Sequence, residues 1–255
     1  MIEIHTHILP NVDDGPGSLE DSLALIKGMM EHGVKSAIAT PHHLNEYYVN
    51  SYSDVVKSVS MLREEVEKEG LNFKIYPGQE VRLRDDIIER VEMYDIKGLN
   101  GSKYILIEFP AHSVPLYAGD ILSELRVEGF IPILAHPERI SPIQEDIRIL
   151  QDFINMGCLA QVTASSVISS NKNLKMVSRK MIEERLISFI SSDNHDLIRR
   201  TGDINLALSK IENLYGSSLV NYYLKNAEKV VKNETVVLRD KKTSKKSFFG
   251  RIFRR

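Results

Sequence analysis

Seven short apolar runs punctuate this chain, and stretches with helical periodicity fall between most of them. The runs are IEIH (2–5), SAIAT (36–40), FKIY (73–76), YILIEF (104–109), IPILAH (131–136), LAQVT (159–163) and ISFIS (187–191). Each is β-rich and ends in polar residues, so each reads as a strand. In the intervening stretches 19–33, 53–70, 118–130, 143–157 and 173–186, apolar residues recur three and four apart, the mark of amphipathic helices. Gly33, Gly70, Gly129 and Gly157 stand where helix C-terminal caps belong, and Ser18 and Ser53 are N-cap candidates. Strand–helix alternation repeated this often implies a parallel sheet with helices outside. Seven units across roughly 190 residues suit a closed barrel, so the predicted fold is α/β, a seven-stranded (β/α)7 TIM-like barrel. A doubly wound open sheet is the alternative.

Residues 203–232 read as two further helices that pack across the barrel's end, which makes 1–238 a single domain. Residues 239–255 carry eight Lys/Arg against one Asp, a charge of +7, while the rest of the chain carries 25 basic and 34 acidic residues, a charge of −9. That tail is expected to be disordered alone. An acidic body with a short basic tail argues against a nucleic-acid-binding domain, which usually carries its positive charge on a folded face. The longest apolar runs are about six residues, against the ~20 that a membrane-spanning helix needs. Residues 1–10 lack the basic and apolar regions of a signal peptide, so a cytoplasmic location is expected. The single cysteine, Cys158, excludes a disulfide framework and any multi-cysteine zinc site, and its apolar setting reads as core.

Most of the seven runs are followed at once by side chains suited to metals. They are His5 and His7, His42 and His43, Glu80, Glu108, His136, and Asp193 with His195. In parallel α/β architectures the C-terminal strand ends form one mouth, so ligands scattered along the chain converge there. His5 and His7, two apart on an extended run, project to one side and suit a single ion as well as they suit two surface positions. Asp13-Asp14-Gly15 is either a turn or a loop carboxylate beside that pair. His43 is a ligand or a supporting donor, His32 reads as a charge at a helix terminus, and His112 sits in a loop near prolines. A mixed His/carboxylate set suits Mn²⁺, Fe²⁺ or Zn²⁺. Several such ions close together form a clamp for phosphoryl chemistry. A cysteine phosphatase is excluded because Ala164 stands where its arginine belongs, six residues past Cys158. No P-loop, dinucleotide fingerprint or serine nucleophile elbow is present in the sequence. Ser165-Ser166 and Ser191-Ser192 read as caps or supporting donors.

The strings HTHILPNVDDGP, ATPHH, PGQE, KYILIEFP, AHPER and SSDNH occur in that order. Together they resemble the PHP superfamily (polymerase and histidinol phosphatase). Within it they resemble the branch of CpsB/YwqE-type manganese-dependent protein-tyrosine phosphatases of Gram-positive bacteria. The resemblance covers nearly the whole chain. It implies a distorted PHP-type barrel and a site of three Mn²⁺ ions, with Fe²⁺ or Zn²⁺ as alternatives. The first ion would take His5, His7, Glu80 and Asp193. The second would share Glu80 and add Glu108 and His136, and the third would take Asp14, His42 and His195. Arg139 and Arg200 match positions that bind the substrate phosphate, with Arg199 beside the latter. A planar guanidinium suits a phosphate ester, although either arginine also fits a structural salt bridge.

The expected activity is therefore hydrolysis of phosphotyrosine by a metal-activated hydroxide. The expected substrate is the tyrosine-rich tail of an autophosphorylating kinase that controls capsule or exopolysaccharide synthesis. A small-molecule phosphatase of the histidinol-phosphate kind and a catalytically idle kinase anchor are the competing readings. Residues 241–255 combine seven basic residues with Phe248, Phe249, Ile252 and Phe253. They suit either a solvated terminus or a reversible contact with an anionic membrane leaflet.

Overall fold

The computed structural model describes residues 1–93, 95–196 and 204–239. Arg199, Arg200 and residues 240–255 lie outside the described residues. Among those described, nine strands form: β1 (Ile2–Thr6), β2 (Ser36–Ala39), β3 (His42–His43), β4 (Lys74–Pro77), β5 (Glu80–Arg82), β6 (Tyr104–Glu108), β7 (Ile131–Ala135), β8 (Leu159–Thr163) and β9 (Phe189–Ser191). The ten α-helices are α1 (Leu19–Glu31), α2 (Tyr52–Lys68), α3 (Ile87–Glu92), α4 (Ala118–Val127), α5 (Ser141–Glu145), α6 (Arg148–Asn155), α7 (Ala164–Ile168), α8 (Lys172–Glu183), α9 (Ile204–Tyr215) and α10 (Ser217–Val231).

Every strand pair is parallel, in two sheets ordered β1-β2-β4 and β3-β5-β6-β7-β8-β9. Strand order rises steadily in both, without the reversal that marks a doubly wound sheet. The seven expected runs thus resolve into nine strands, because two of them extend past a break. The second is interrupted at Thr40-Pro41, where proline has no N–H for a ladder. The next is interrupted at Gly78-Gln79, where a Cβ on Gly78 would stand 2.7 Å from Ile38 Cγ2 and 2.9 Å from Leu99 Cδ2. Past β9 the chain returns to β1: Asp193 N donates to His5 O (3.1 Å) and His7 N to Asn194 O (2.8 Å).

Alternation on the strands sorts two hydrophobic layers. Ile105 and Ile107 join the large cluster against the helices, whereas Leu106 joins Ile4, Ile38, Ile133, Leu159 and Phe189, drawn from six strands. Ala227 and Val230 of α10 extend this second layer. Just beyond α10, Glu234 O accepts from the Tyr104 hydroxyl at the start of β6 (2.6 Å). The last helix therefore covers the end opposite the strand C-termini.

The four cap glycines all take positive φ, between 66° and 97°. Ser18 caps α1, accepting from Asp21 N, but α2 is capped by Ser51 rather than Ser53. The stretch 143–157 forms two helices, α5 and α6, instead of one.

Candidate metal centre

The histidines and carboxylates anticipated at the strand ends come together, His43 excepted. His5, His7, Asp14, His42, Glu80, Glu108, His136, Asp193 and His195 form four overlapping groups, in each of which the potential ligand atoms lie within 4.8 Å of one another. His7 falls with Asp14, His42 and His195 as well as with His5 and Asp193, and Glu80 falls with His5 and His136 and, separately, with His42 and Glu108. Glu80 is the hub. Its Oε2 lies 3.3 Å from His5 Nε2, 3.3 Å from His7 Nε2 and 2.9 Å from His42 Nδ1, and its Oε1 lies 2.9 Å from His136 Nε2. Asp193 Oδ1 stands 3.3 Å from His5 Nε2, and Asp14 Oδ1 stands 3.2 Å from His195 Nε2 and 3.5 Å from His42 Nε2.

Several histidines are anchored from behind. His7 Nδ1 donates to Asp13 Oδ2 (2.6 Å), His5 Nδ1 to Gln161 Oε1 (3.0 Å) and His195 Nδ1 to the Asp193 carbonyl (2.9 Å). That leaves each Nε2 lone pair aimed inward, the posture of a metal-bound imidazole. Asp13 also accepts from His42 N and Gly15 N. Gly15 is required there, since a Cβ would lie 2.8 Å from His7 O. Two of the gathered residues, His136 (φ 30°) and Asp193 (φ 56°), hold left-handed backbone, which costs energy and tends to persist at functional sites.

The donor chemistry fits divalent cations. Buried Glu80 Oε2 and His42 Nδ1 complete no hydrogen bond although they lie 2.9 Å apart, so a shared cation would satisfy both. Burial opposes charge on these groups, yet the His5 and His42 charges hold Glu80 well below the usual carboxylate range, and His5, His7 and Arg139 do the same for Asp193. Against the same burial, Asp13 holds His7 well above the ordinary imidazole value, and Glu80 raises His5 and His42. Burial and the neighbouring Glu80 charge push Glu108 up. Protons and a cation would thus compete for the same places in the nest.

A cavity of about 420 Å³ opens onto the nest. Its lining combines polar residues, including His42, Arg139 and His195, with apolar Phe109, Ala111 and Ile140. Arg139 reaches the nest from the turn after β7, its Nη1 donating to Asp193 Oδ2 (2.7 Å) and its Nη2 to Thr163 Oγ1 (3.2 Å). Thr163 in turn donates to buried Glu138 Oε1 (2.8 Å). Gln161, Glu138 and Thr163 are supporting residues to which the sequence alone assigns no role, and Asp13, a turn or loop carboxylate in the sequence, joins them. The one local signal of Gln161 and Thr163 is polarity inside the otherwise apolar, buried β8. His43 takes no part in the four groups; it is buried with Nε2 3.3 Å from Asp95 Oδ2. His32 is the C-cap residue of α1, His112 Nδ1 lies 3.4 Å from Ser141 Oγ, and Cys158 is core.

The family profile for capsular polysaccharide synthesis, CpsB/CapC, matches residues 1–232. CapC of Staphylococcus aureus is 37% identical over 246 residues, covering 96% of this chain and 94% of that protein. The tyrosine-protein phosphatase YwqE of Bacillus subtilis is 36% identical over 237 residues, covering 92% and 93%. The tyrosine-protein phosphatase CpsB of Streptococcus agalactiae is 30% identical over 243 residues, covering 92% and 100%. A crystal structure from work on YwqE of Bacillus subtilis and CpsB of Streptococcus pneumoniae, described as metal-dependent tyrosine phosphatases, superposes with a TM-score of 0.93 at 35% identity. It covers 96% of this chain and 100% of its own. The lactonase Lmo2620 of Listeria monocytogenes (TM-score 0.53, 11% identity, 92% of each chain) shares the fold alone. With a profile match from the first strand through the last helix, the chain belongs to the CpsB/CapC family.

Proposed function

We propose that this chain is a metal-dependent protein-tyrosine phosphatase whose substrate is the phosphotyrosine tail of a bacterial tyrosine kinase that controls capsular or exopolysaccharide synthesis. The observation that carries this reading is the convergence of nine His/Asp/Glu side chains beside Arg139 in one cavity. The relatives named as tyrosine phosphatases support the substrate class. We assign the nine residues as ligands of three Mn²⁺ ions, held in a seven-position barrel in which β2–β3 and β4–β5 each count as one interrupted strand. The return of 193–194 to β1 supports closure of that barrel, and residues 1–238 form its single domain.

Divalent ions held by these residues would supply a water nucleophile at neutral pH and neutralise charge on the phosphoryl group. The protein's own part is positioning. Arg139, fixed by Asp193 and Thr163, presents its remaining N–H groups to the phosphate oxygens. Arg200 is proposed as a second phosphate-binding residue on its spacing from His195. The wall of Phe109, Ala111 and Ile140 takes the phenyl ring and keeps water from the reacting centre. Tyrosinate, with a pKa of about 10, leaves without strong general-acid help. No described helix is long and apolar enough to cross a membrane. A cytoplasmic enzyme that touches the inner membrane face through its basic tail is the proposed setting.

The test pairs metal content with turnover of a phosphotyrosine peptide and of histidinol phosphate. Activity on the peptide that is lost in chelator and restored best by Mn²⁺ is expected. Full activity after prolonged chelation would exclude the metal mechanism. Preference for histidinol phosphate would move the chain to the small-molecule reading.

A further inference from the structure

Beside the cavity stands a short loop that holds apolar side chains out in water. Between β3 and α2, Tyr47 is 82% exposed and Val49 is 70% exposed. Large exposed apolar groups are ordinary on mobile tips, but this loop is pinned at every step. Asn45 Oδ1 accepts from Tyr47 N (3.0 Å) and Tyr48 N (2.7 Å). Asn50 Nδ2 donates to His42 O (2.8 Å) and Val12 O (3.0 Å), and Asn50 O accepts from buried Gln79 (2.8 Å). Leu44 anchors the other end in the core, in left-handed backbone (φ 64°). Between the anchors, the Tyr48 ring lies parallel to the His42 imidazole, with centroids 6.1 Å apart and planes at 9°. The loop after β6 contributes Phe109 and Ala111 to the cavity lining and then exposes Leu116 at 94%. Ser141 N fastens that loop to the segment after β7 by donating to Ala111 O (2.8 Å).

We propose that Tyr47, Val49 and Leu116 form a docking rim for the residues that flank the phosphotyrosine of a polypeptide substrate. The occupant is an extended peptide with apolar side chains next to its phosphotyrosine. This rests on the phosphatase reading above, because the cavity decides what lies over the rim. With the phosphate at Arg139 and the ring against Ala111 and Ile140, the peptide main chain leaves the cavity past the loops that follow β3, which carries His42, and β6, which leads into Phe109 and Ala111. Rigid aromatic and aliphatic side chains, held in place before binding, lose little entropy when covered, and a few such anchors dominate most interfaces. A small phosphate ester ends inside the cavity and gains nothing from them.

The experiment compares the Mn²⁺-loaded wild type with Tyr47→Ser/Val49→Ser and with Leu116→Ser. The substrates are free O-phosphotyrosine, a phosphotyrosine peptide flanked by leucines, and the same peptide flanked by glycines. In both variants KM for the leucine-flanked peptide should rise roughly tenfold, the effect of losing one good apolar anchor. KM for free phosphotyrosine, kcat and bound metal should stay at wild-type values, and the glycine-flanked peptide should respond little. Unchanged KM on all substrates overturns the rim. An equal loss on free phosphotyrosine also overturns it, since the loop would then act only through His42. Wild-type self-association that the variants abolish, with peptide KM unchanged, would make the face a contact between copies instead. Wild-type inactivity on all three substrates rejects the phosphatase reading itself, and the rim with it.

Discussion

Thr163→Val tests whether Arg139 is a positioned group or merely a nearby one. The substitution keeps side-chain shape and removes one hydroxyl, which is enough to make it non-conservative. That hydroxyl donates to Glu138 Oε1 at 2.8 Å, accepts from Arg139 Nη2 at 3.2 Å, and lies 2.7 Å from Ser166 Oγ. Two of its partners are charged, and a hydrogen bond to a charged group contributes about 1.5–3 kcal/mol. Glu138 keeps one donor, Thr163 N at 3.0 Å, so the loss of stability should be about 3 kcal/mol. For a domain of this size that corresponds to roughly 6–12 °C in Tm. The kinetic effect should be separable. Arg139 retains Asp193 and a long contact to Ser165 Oγ (3.5 Å) but is held less firmly, so kcat/KM for phosphotyrosine should fall roughly tenfold. Arg139→Ala, which removes a charged contact to the phosphoryl group altogether, should cost ~10²–10³. Metal content by elemental analysis should match the wild type, and Thr163→Ser should restore most of the rate. Steady-state kinetics at a temperature well below both melting points decides the matter. Unchanged kcat/KM in Thr163→Val, with the Tm lowered as described, would refute the positioning argument.

Asp13→Ala removes the carboxylate that orients His7, so the Mn²⁺ concentration for half-maximal activity should rise about 10–100-fold; an unchanged activation curve would count against that role. Burial raises the Glu3 carboxyl to about 7 from 4.5, so in the metal-free protein its contribution to stability is greatest below pH 4.5 and falls as pH rises towards 7, by at most about 3 kcal/mol. Glu3→Gln should therefore be more stable than the wild type above pH 7 and equal to it at pH 4, and chemical denaturation in chelator at both pH values checks the crossover. Because their carboxylate neighbours raise His5, His7 and His42, Mn²⁺ binding at neutral pH should release protons. Calorimetric titration in two buffers of different ionisation enthalpy measures the number, and zero release would show that the imidazoles are already neutral.

The sequence exposes the strand positions because each run alternates between two buried layers and stops at a polar residue, as Tyr104 to Glu108 does. It also exposes the nine gathered side chains, since parallel strands bring their C-terminal ends to one mouth whatever the spacing along the chain. What stays hidden depends on partners remote in sequence. The breaks that create β3 and β5 fall at Pro41 and at Gly78, where any Cβ would collide with Ile38 and Leu99. Helices α3 and α7, of six and five residues, are too short to show periodicity. Ser51 and Ser53 are equally good caps on paper, and tertiary contacts choose between them. In Asp13-Asp14 two identical side chains take opposite tasks: the first supports His7 from behind and the second faces His42 and His195. Adjacent identical residues carry no sequence signal that would separate them. Gln161 and Thr163 look like ordinary polar positions in a strand until β8 is placed beside β7 and β9.

Asp193 joins three requirements that are otherwise independent. Its N–H donates to His5 O and ties the end of β9 to β1. Its Oδ1 faces His5 and His7 in the nest, and its Oδ2 holds Arg139 at 2.7 Å. Its carbonyl accepts from His195 Nδ1 and so sets the inward aim of that ring. No extended residue continuing β9 would present backbone and side chain to these partners at once; the left-handed turn at φ 56° does. An aspartate tolerates that conformation better than most side chains, with its short polar group bonded locally. The strain is offset by contacts to strand, nest and arginine together. The residue that links the two ends of the strand succession is therefore also the one that couples the His/carboxylate nest to Arg139, the proposed phosphate-binding arginine. A shift of the β9 end relative to β1 would be felt first as a misaligned Arg139, before any ligand was lost.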